Sequence, residues 1–284
     1  MKKILLPTDF SNNSWNAIKY ALNFFKEDVC HFYLIHTYTP VVYQVEYMEV
    51  GAAQFGLIDA MKEAAQTGLK KIQKQIDEEF INSKHTFTSI ASFNTLTAEI
   101  SHRINEDKID YVVMGTKGAT GAVEILFGSN TMHVIKNAKC PVLAIPSEFE
   151  FEKPVEVLFP SDYQIEFKEE HIQPIVDLAT KYKSRVNVLN ATFGYELSTF
   201  QKSNKKLLDD HFKGITSLFH DVSNQTVEDA ISKFQLKHRI NLLIMINNKH
   251  SFFENLFFRS TINHIGFHLN IPFLVIPSQI HKTS

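Results

Sequence analysis

A glycine-spaced stretch near the middle of the chain has the residue types that can bind a polyphosphate. Gly115, Gly118 and Gly128 are separated by two and by nine residues, and Ser129 and Asn130 follow the last glycine. Glycine lets the main chain turn sharply and approach an anion closely, so that backbone N–H groups point at it. A strand-like apolar run, residues 109–114, precedes Gly115, so the stretch is expected to connect a strand to a helix.

The helix after this stretch is predicted to begin near Ser129, whose hydroxyl can cap it. A helix N-terminus adds a partial positive charge of roughly half an electron, which favours phosphate. Lys117 can add a full positive charge. The spacing is neither that of a Walker loop nor that of the Gly-x-Gly-x-x-Gly dinucleotide turn. A glycine-rich connection without a ligand is the structural alternative.

The same region recurs 131 residues later, and there the three glycine positions are Ile246, Lys249 and Arg259. A β-branched Ile246 is expected to clash where φ must be positive. Arg259 retains some attraction for an anion, but aromatic residues are expected to fill the vacated pocket or to pack against a neighbour. These aromatic residues are Phe252, Phe253, Phe257 and Phe258. One copy is therefore predicted to bind phosphate and the other is not.

Matching segments at both ends of the copies indicate a tandem repeat. Residues 4–10 match 157–163, and residues 140–147 match 271–278. At 284 residues the chain has the length of two ordinary domains. The sequence predicts domains at residues 1–148 and 152–284, joined by a charged segment that ends in Pro154.

The elements that must position the glycines alternate between strands and helices. This alternation predicts an α/β fold with two Rossmann-like domains, each a five-stranded parallel sheet covered by helices on both faces. Ligands of such sheets lie beyond the carboxyl ends of the strands, so Asp9, Thr37 and Gly115 are expected to converge there. The elements predicted for the first copy are strands Lys3–Pro7, His31–His36, Thr86–Phe93, Tyr111–Met114 and Val142–Ile145, and helices Asn12–Phe25, Leu57–Phe80 and one capped by Thr97 that runs to Glu106.

Composition excludes several function classes. The net charge of −2 gives no electrostatic reason to expect nucleic acid or an anionic membrane as a partner. Two cysteines do not form a disulfide framework, and Pro7 interrupts the apolar N-terminus, so a cytoplasmic protein is expected. Neither a catalytic constellation nor metal-ligand spacing is present among the histidines and carboxylates, so no catalytic or metal-binding residue is predicted.

The glycine spacing, Ser129 and the closing Cys140-Pro141-Val142-Leu143 resemble the universal stress protein family in its tandem-domain form. The resemblance covers both halves of the chain, and Pro160, Ser161 and Asp162 preserve part of it in the second. It implies an adenine nucleotide alpha hydrolase-like domain that binds ATP and dimerises through its last strand. The binding residues that it implies are Pro7, Thr8, Asp9, Thr37 and Met114 for adenine and ribose, and Gly115, Thr116, Gly118, Gly128, Ser129 and Asn130 for ribose and phosphates.

The function expected from these observations is nucleotide binding in stress response or regulation, with one site in the first domain. The ligand is ATP, AMP or ADP, with or without Mg²⁺, and no enzymatic activity is expected. A slow ATPase, an adenylyltransferase and a partner-binding module without nucleotide are the alternatives. Because each fifth strand is apolar and follows a proline, the two are expected to pair with each other, and a homodimer can add to this.

Overall fold

Strands and helices alternate along most of the described chain, but two strands follow each other without a helix between residues 142 and 160. The structure, a computed structural model, describes residues 1–39, 50–116, 127–192, 196–248 and 270–279. The chain divides into two compact units, Met1–Ala138 and Lys139–Ser284. The predicted α/β fold with a mostly parallel sheet is confirmed. Within the described ranges, no helix combines the length and the hydropathy needed to cross a bilayer.

The first unit has a parallel sheet in the order β3-β2-β1-β4. The strands run on from β1 to β2 and β3, whereas β4 lies on the other side of β1, so the strand order reverses between β1 and β4. Such a reversal is where open α/β sheets place ligands. The elements are β1 (Lys2–Pro7), α1 (Asn12–Phe24), β2 (Cys30–Thr37), α2 (Val50–Glu79), β3 (His85–Ser92), α3 (Leu96–Glu106), β4 (Tyr111–Gly115) and α4 (Ser129–Asn137).

The core of this unit follows from its apolar strands. Ile4, Leu5 and Leu6 of β1 are all fully buried, as expected for a central parallel strand covered on both faces. Helix α1 packs on β4, and α2 packs on β2 and β3. This packing fixes the carboxyl ends of β1, β2 and β4, which carry the predicted binding residues.

Helix starts are where the sequence-based prediction was wrong. Helix α2 begins at Val50, about two turns before the predicted Leu57. Helix α3 is capped by Thr95, whose Oγ1 accepts a hydrogen bond from the N–H of Ala98 (3.4 Å), and not by Thr97. Both Thr95 and Thr97 have a hydroxyl that can cap, and the backbone angles that decide between them are set by the preceding turn.

The second unit repeats the pattern and has the strand order β5-β10-β9-β6-β7-β8. Strand β5 is antiparallel to β10, with Leu143 opposite Leu274, and the other described pairs are parallel. The functional domains expected at residues 1–148 and 152–284 remain a prediction. The elements are β5 (Val142–Ile145), β6 (Glu156–Pro160), α5 (Glu169–Tyr182), β7 (Arg185–Thr192), α6 (Thr199–His211), β8 (Thr216–Ser223), α7 (Val227–His238), β9 (Leu242–Asn247) and β10 (Phe273–Pro277).

A buried carboxylate joins α3 to the carboxyl end of β3. Glu99 is 3% exposed, and it accepts hydrogen bonds from Arg103 Nε (2.8 Å), Ser92 Oγ (2.8 Å) and Asn94 Nδ2 (3.0 Å). Burial alone raises the pKa of Glu99, but these three donors outweigh burial and hold the pKa below its ordinary value. Glu99 is therefore ionised and fully bonded at neutral pH.

We expect Glu99→Gln to lower the free energy of unfolding by about 2 kcal/mol at neutral pH, because an amide cannot accept from all three donors. Because the folded pKa is depressed, the carboxylate's contribution is complete above the unfolded pKa of roughly 4.3 and is lost as the pH falls through the lower folded value. Urea unfolding of both proteins across this range measures the effect. A gap between wild type and variant that stays constant at acid pH would contradict the assignment.

Candidate functional site

Three neighbouring parallel strands end at one edge of the first unit and bring the predicted binding residues to it. Strand β1 lies between β2 and β4, with Pro7 in register with Ile35 and Leu5 in register with Val112. Asp9 lies two residues beyond the end of β1, Thr37 is the last residue of β2, and Gly115 is the last residue of β4. The topology therefore gathers residues from three separate parts of the sequence.

Thr8 fixes the turn that follows β1. Its side chain is buried, its Oγ1 shares a hydrogen bond with Ser14 Oγ (2.9 Å), and it accepts another from the N–H of Phe10 (3.0 Å). The N–H of Thr8 donates to the carbonyl oxygen of Ile35 (2.8 Å), so the turn is also tied to β2. The Thr8 hydroxyl therefore stabilises the turn, and its contact with a nucleotide stays a prediction.

Asp9 is the exposed carboxylate of this turn. Its Oδ1 accepts hydrogen bonds from both the N–H (3.1 Å) and the hydroxyl of Ser11. Partial burial raises the pKa of Asp9, but the bonds from Ser11 and Ser14 outweigh it and keep the pKa below the ordinary value. At neutral pH the edge of the sheet thus presents a negative charge that can accept from hydroxyl or amino groups of a ligand.

The start of α4 is fastened to the end of β4 by two hydrogen bonds. The N–H of Gly128 donates to the carbonyl oxygen of Thr116 (2.7 Å), and Thr131 Oγ1 donates to that of Gly115 (2.9 Å). Met114 and Thr116 are buried beside this junction. The sequence analysis did not single out Thr131. A signal was available, because the counterpart of Thr131 in the repeat is Ile262, which has no hydroxyl. Lys117 and Gly118 lie outside the described residues.

The N-terminus of α4 has backbone N–H groups that no bond within the helix can use. Gly128 is the N-cap residue, with φ −62° and ψ 155°, and as a glycine it has no side chain with which to cap the helix. The expectation that Ser129 is the cap was therefore wrong, since Ser129 is the first helical residue. The N–H groups of Ser129, Asn130 and Thr131 precede the first intrahelical bond, which runs from Met132 to Gly128 (3.0 Å). Ser129 and Asn130 are exposed, so these donors and the helix dipole fit an anionic phosphate.

The sequence analysis attributed the glycines to a need for positive φ, and the backbone at two positions does not support this. Gly128 has a negative φ that any residue can adopt, so backbone strain does not require a glycine there. Ile246, in register with Ile276, lies within β9 and has no positive φ. The clash predicted for Ile246 therefore does not arise in the backbone.

The second unit retains the residues after its first strand but has little space beside them. Ser161 and Asp162 follow β6, as Thr8 and Asp9 follow β1. The pocket at this place has a volume of about 20 Å³, which holds about one water molecule. Small-molecule sites typically need a few hundred Å³. The pocket is lined by Phe159, Pro160, Ser161, Asp162, Ile165, Phe167, Met245 and Ile246.

A longer connection explains part of this filling. Helix α1 begins three residues after Asp9, at Asn12, whereas α5 begins only at Glu169. The additional residues place Ile165 and the buried Phe167 against the pocket. The signal was present in the sequence as unequal spacing between the matched openings and the next helix. The four phenylalanines expected to fill this space, residues 252, 253, 257 and 258, lie outside the described residues.

Comparison with known proteins identifies the family. The sequence profile of the universal stress protein family matches residues 1–146. Universal stress protein MJ0531 of Methanocaldococcus jannaschii is 37% identical over 144 residues, which are 51% of this chain and 81% of that protein. Universal stress protein MJ0577 of the same organism is 28% identical over 156 residues, which cover 51% of this chain and 94% of that protein.

A solved structure matches the fold over almost the whole length. The crystal structure of a universal stress protein from Archaeoglobus fulgidus aligns with 97% of this chain and 96% of its own, with a TM-score of 0.70 and 18% identity. At this identity the likeness concerns the fold alone. The profile match and the identity to MJ0531 are stronger, and together they show that this chain belongs to the universal stress protein family.

Proposed function

We propose that the chain binds one adenine nucleotide, at the carboxyl edge of the first unit. The observation that carries this proposal is the arrangement of an ionised Asp9, the end of β2 at Thr37 and a helix N-terminus with a glycine cap after β4 on three adjacent strands. A carboxylate suits the hydroxyl and amino donors of a nucleoside, and the first N–H groups of a helix suit phosphates. The two chemistries of a nucleotide are thus met at one edge.

The proposed contacts divide the ligand into two parts. Asp9 accepts from ribose or adenine, while Pro7, Thr37 and Met114 surround the base. Gly115, Gly118 and Gly128 let the main chain approach the ribose and phosphates, where Thr116, Ser129 and Asn130 add polar groups. ATP, ADP or AMP fits this division, and a bound Mg²⁺ would neutralise phosphate charge. The repeat at Asp162 takes no nucleotide, because its pocket of about 20 Å³ is too small.

We expect full-length protein to bind ATP with a stoichiometry of one nucleotide per chain. Mass analysis of small molecules released from freshly purified, denatured protein identifies a ligand carried from the cell. Isothermal titration of the stripped protein with ATP then gives the number of sites. A lack of binding would contradict the proposal. Binding of two equivalents of ATP with equal affinity would contradict the prediction that the second unit binds no nucleotide.

The biological role proposed with this site is non-enzymatic, in stress response or regulation in the cytoplasm. Pairing of the two repeats through their fifth strands and a further homodimer remain part of the same proposal. A slow ATPase is the alternative, since a bound triphosphate is open to attack by water. Steady turnover of ATP, abolished by Asp9→Ala, would favour the ATPase, whereas stable bound ATP favours the binding protein.

A further inference from the structure

An aromatic stack connects α2 to the turn that carries Asp9. Phe10, the next residue along the chain, has a left-handed backbone with φ 64°. Its ring stacks on the imidazole of His36, with the ring centroids 4.2 Å apart and the planes inclined by 23°. The Phe10 ring also lies against α2 at Gly68, where an added Cβ atom would be only 2.4 Å from the ring. The absence of a side chain at position 68 is thus what makes room for this ring.

A hydrogen bond ties the same imidazole to the turn. His36 Nδ1 lies 2.8 Å from the carbonyl oxygen of Thr8. A carbonyl oxygen can only accept, so Nδ1 carries the proton and donates it. Since Thr8 immediately precedes Asp9, the imidazole holds the turn through this bond and through its stack on Phe10. None of these contacts follows from the glycine spacing that identifies the phosphate-binding region.

The second unit keeps the hydrogen bond but not the ring. Pro160 is in register with Leu189 as Pro7 is with Ile35, so Asn190 occupies the place of His36. Asn190 Nδ2 donates to the carbonyl oxygen of Ser161 (2.7 Å), which corresponds to that of Thr8. Tyr163, with φ 54°, stands where Phe10 does, and its ring faces the ammonium group of Lys205 (5.6 Å). The imidazole stack thus occurs in the unit whose sequence keeps all three glycines.

We propose that His36 is a positioning residue for the nucleoside end of the ligand. Together with Phe10 and Gly68 it holds the Thr8–Asp9 turn at the distance from α4 that a nucleotide requires. This inference rests on the proposed nucleotide site, because Asp9 is the group being positioned. It predicts that changes far from any phosphate, in the middle of α2, alter nucleotide affinity.

Four variants of the full chain test the proposal in two matched pairs. His36→Ala removes the bond and the ring, whereas His36→Asn restores the bond that Asn190 makes in the second unit. Gly68→Ala pushes a methyl group against Phe10, whereas Gly56→Ala changes the same helix where a Cβ would meet no atom within 4 Å. Titration with ATP and AMP measures affinity, and hydrogen exchange of the peptide spanning residues 8–11 measures order in the turn without any ligand.

We expect His36→Ala and Gly68→Ala each to weaken ATP and AMP binding by about tenfold, as loss of one good contact does. Both should speed exchange in residues 8–11 several-fold. His36→Asn should recover most of the affinity, and Gly56→Ala should match the wild type. The equal loss for ATP and AMP distinguishes an effect on the nucleoside end from one on the phosphates.

Two results would overturn the inference or separate it from the proposed function. If His36→Ala and Gly68→Ala bind nucleotide like the wild type and exchange at the same rate, the stack positions nothing. If the wild type binds no adenine nucleotide but exchange still rises in these two variants alone, the nucleotide proposal fails while the control of the turn by His36 stands. His36→Asn behaving like His36→Ala would assign the effect to the ring and overturn the role of the bond.

Discussion

Asp9→Ala is expected to weaken ATP binding about 50-fold, whereas the matching Asp162→Ala in the second unit is expected to leave it within about twofold. The difference arises because a charged acceptor that bonds ligand hydroxyls contributes about 1.5–3 kcal/mol, which corresponds to a factor of roughly 10 to 150. Asp162 follows its strand in the same way, but the described residues beside it leave a pocket of only about 20 Å³. Isothermal titration of both full-length variants measures the two affinities.

Asp9→Asn separates the ligand contact from the turn. The amide oxygen of asparagine can still accept from the Ser11 N–H, as Oδ1 of Asp9 does. The turn is therefore preserved while the charge and one acceptor are lost, and an affinity between those of wild type and Asp9→Ala is expected. Binding by Asp9→Ala within a few-fold of wild type would remove Asp9 from the site. An equal loss in Asp162→Ala would place a working site in the second unit.

The strands were predictable because their signal is local. Strand β4 was predicted at Tyr111–Met114 and ends one residue later, at Gly115. An apolar run bounded by glycine or proline defines a buried strand without knowledge of its neighbours. The location of Asp9, Thr37 and Gly115 at strand ends followed from the same pattern.

The features that the sequence did not predict depend on contacts between distant residues. A left-handed backbone is unusual for an aromatic residue, and both Phe10 and its counterpart Tyr163 adopt one, so the turn itself accounts for it. The packing of the Phe10 ring against His36 and Gly68 joins residues that are far apart in the sequence. Gly68 in a helix interior carries a propensity cost of roughly 1 kcal/mol, and nothing in the local sequence indicates why it is there.

Helix caps form an intermediate case, in which the sequence offers candidates but does not choose between them. Ser129 has the side chain of a good cap, yet the helix begins at it and Gly128 precedes it as the cap. The bonds from Gly128 to Thr116 and from Thr131 to Gly115 determine this choice, because they fix where the chain enters the helix. A glycine at the cap position stabilises a helix slightly less than a serine does, and it places no hydroxyl of its own on the first N–H groups.

Gly128→Ser is therefore expected to keep or slightly raise the free energy of unfolding while weakening ATP binding by at least about tenfold. Serine is at least as good as glycine at an N-cap, by a few tenths of a kcal/mol, and the observed φ of −62° is open to it. Its hydroxyl can bond the N–H groups that the phosphates need, and its Cβ adds volume where they approach. Urea unfolding and ATP titration of the full-length variant measure the two effects.

Thr226→Ser is the control, since it exchanges one capping hydroxyl for another at the start of α7, where Thr226 Oγ1 accepts from the N–H of Asp229 (3.1 Å). Thr226→Ser should change neither the affinity for ATP nor the difference in affinity between ATP and adenosine. Gly128→Ser should lose more affinity for ATP than for adenosine, whereas Asp9→Ala should lose affinity for both. If Gly128→Ser binds ATP as the wild type does, the phosphates do not lie at the start of α4. The nucleoside contact at Asp9 would then have to be explained without them.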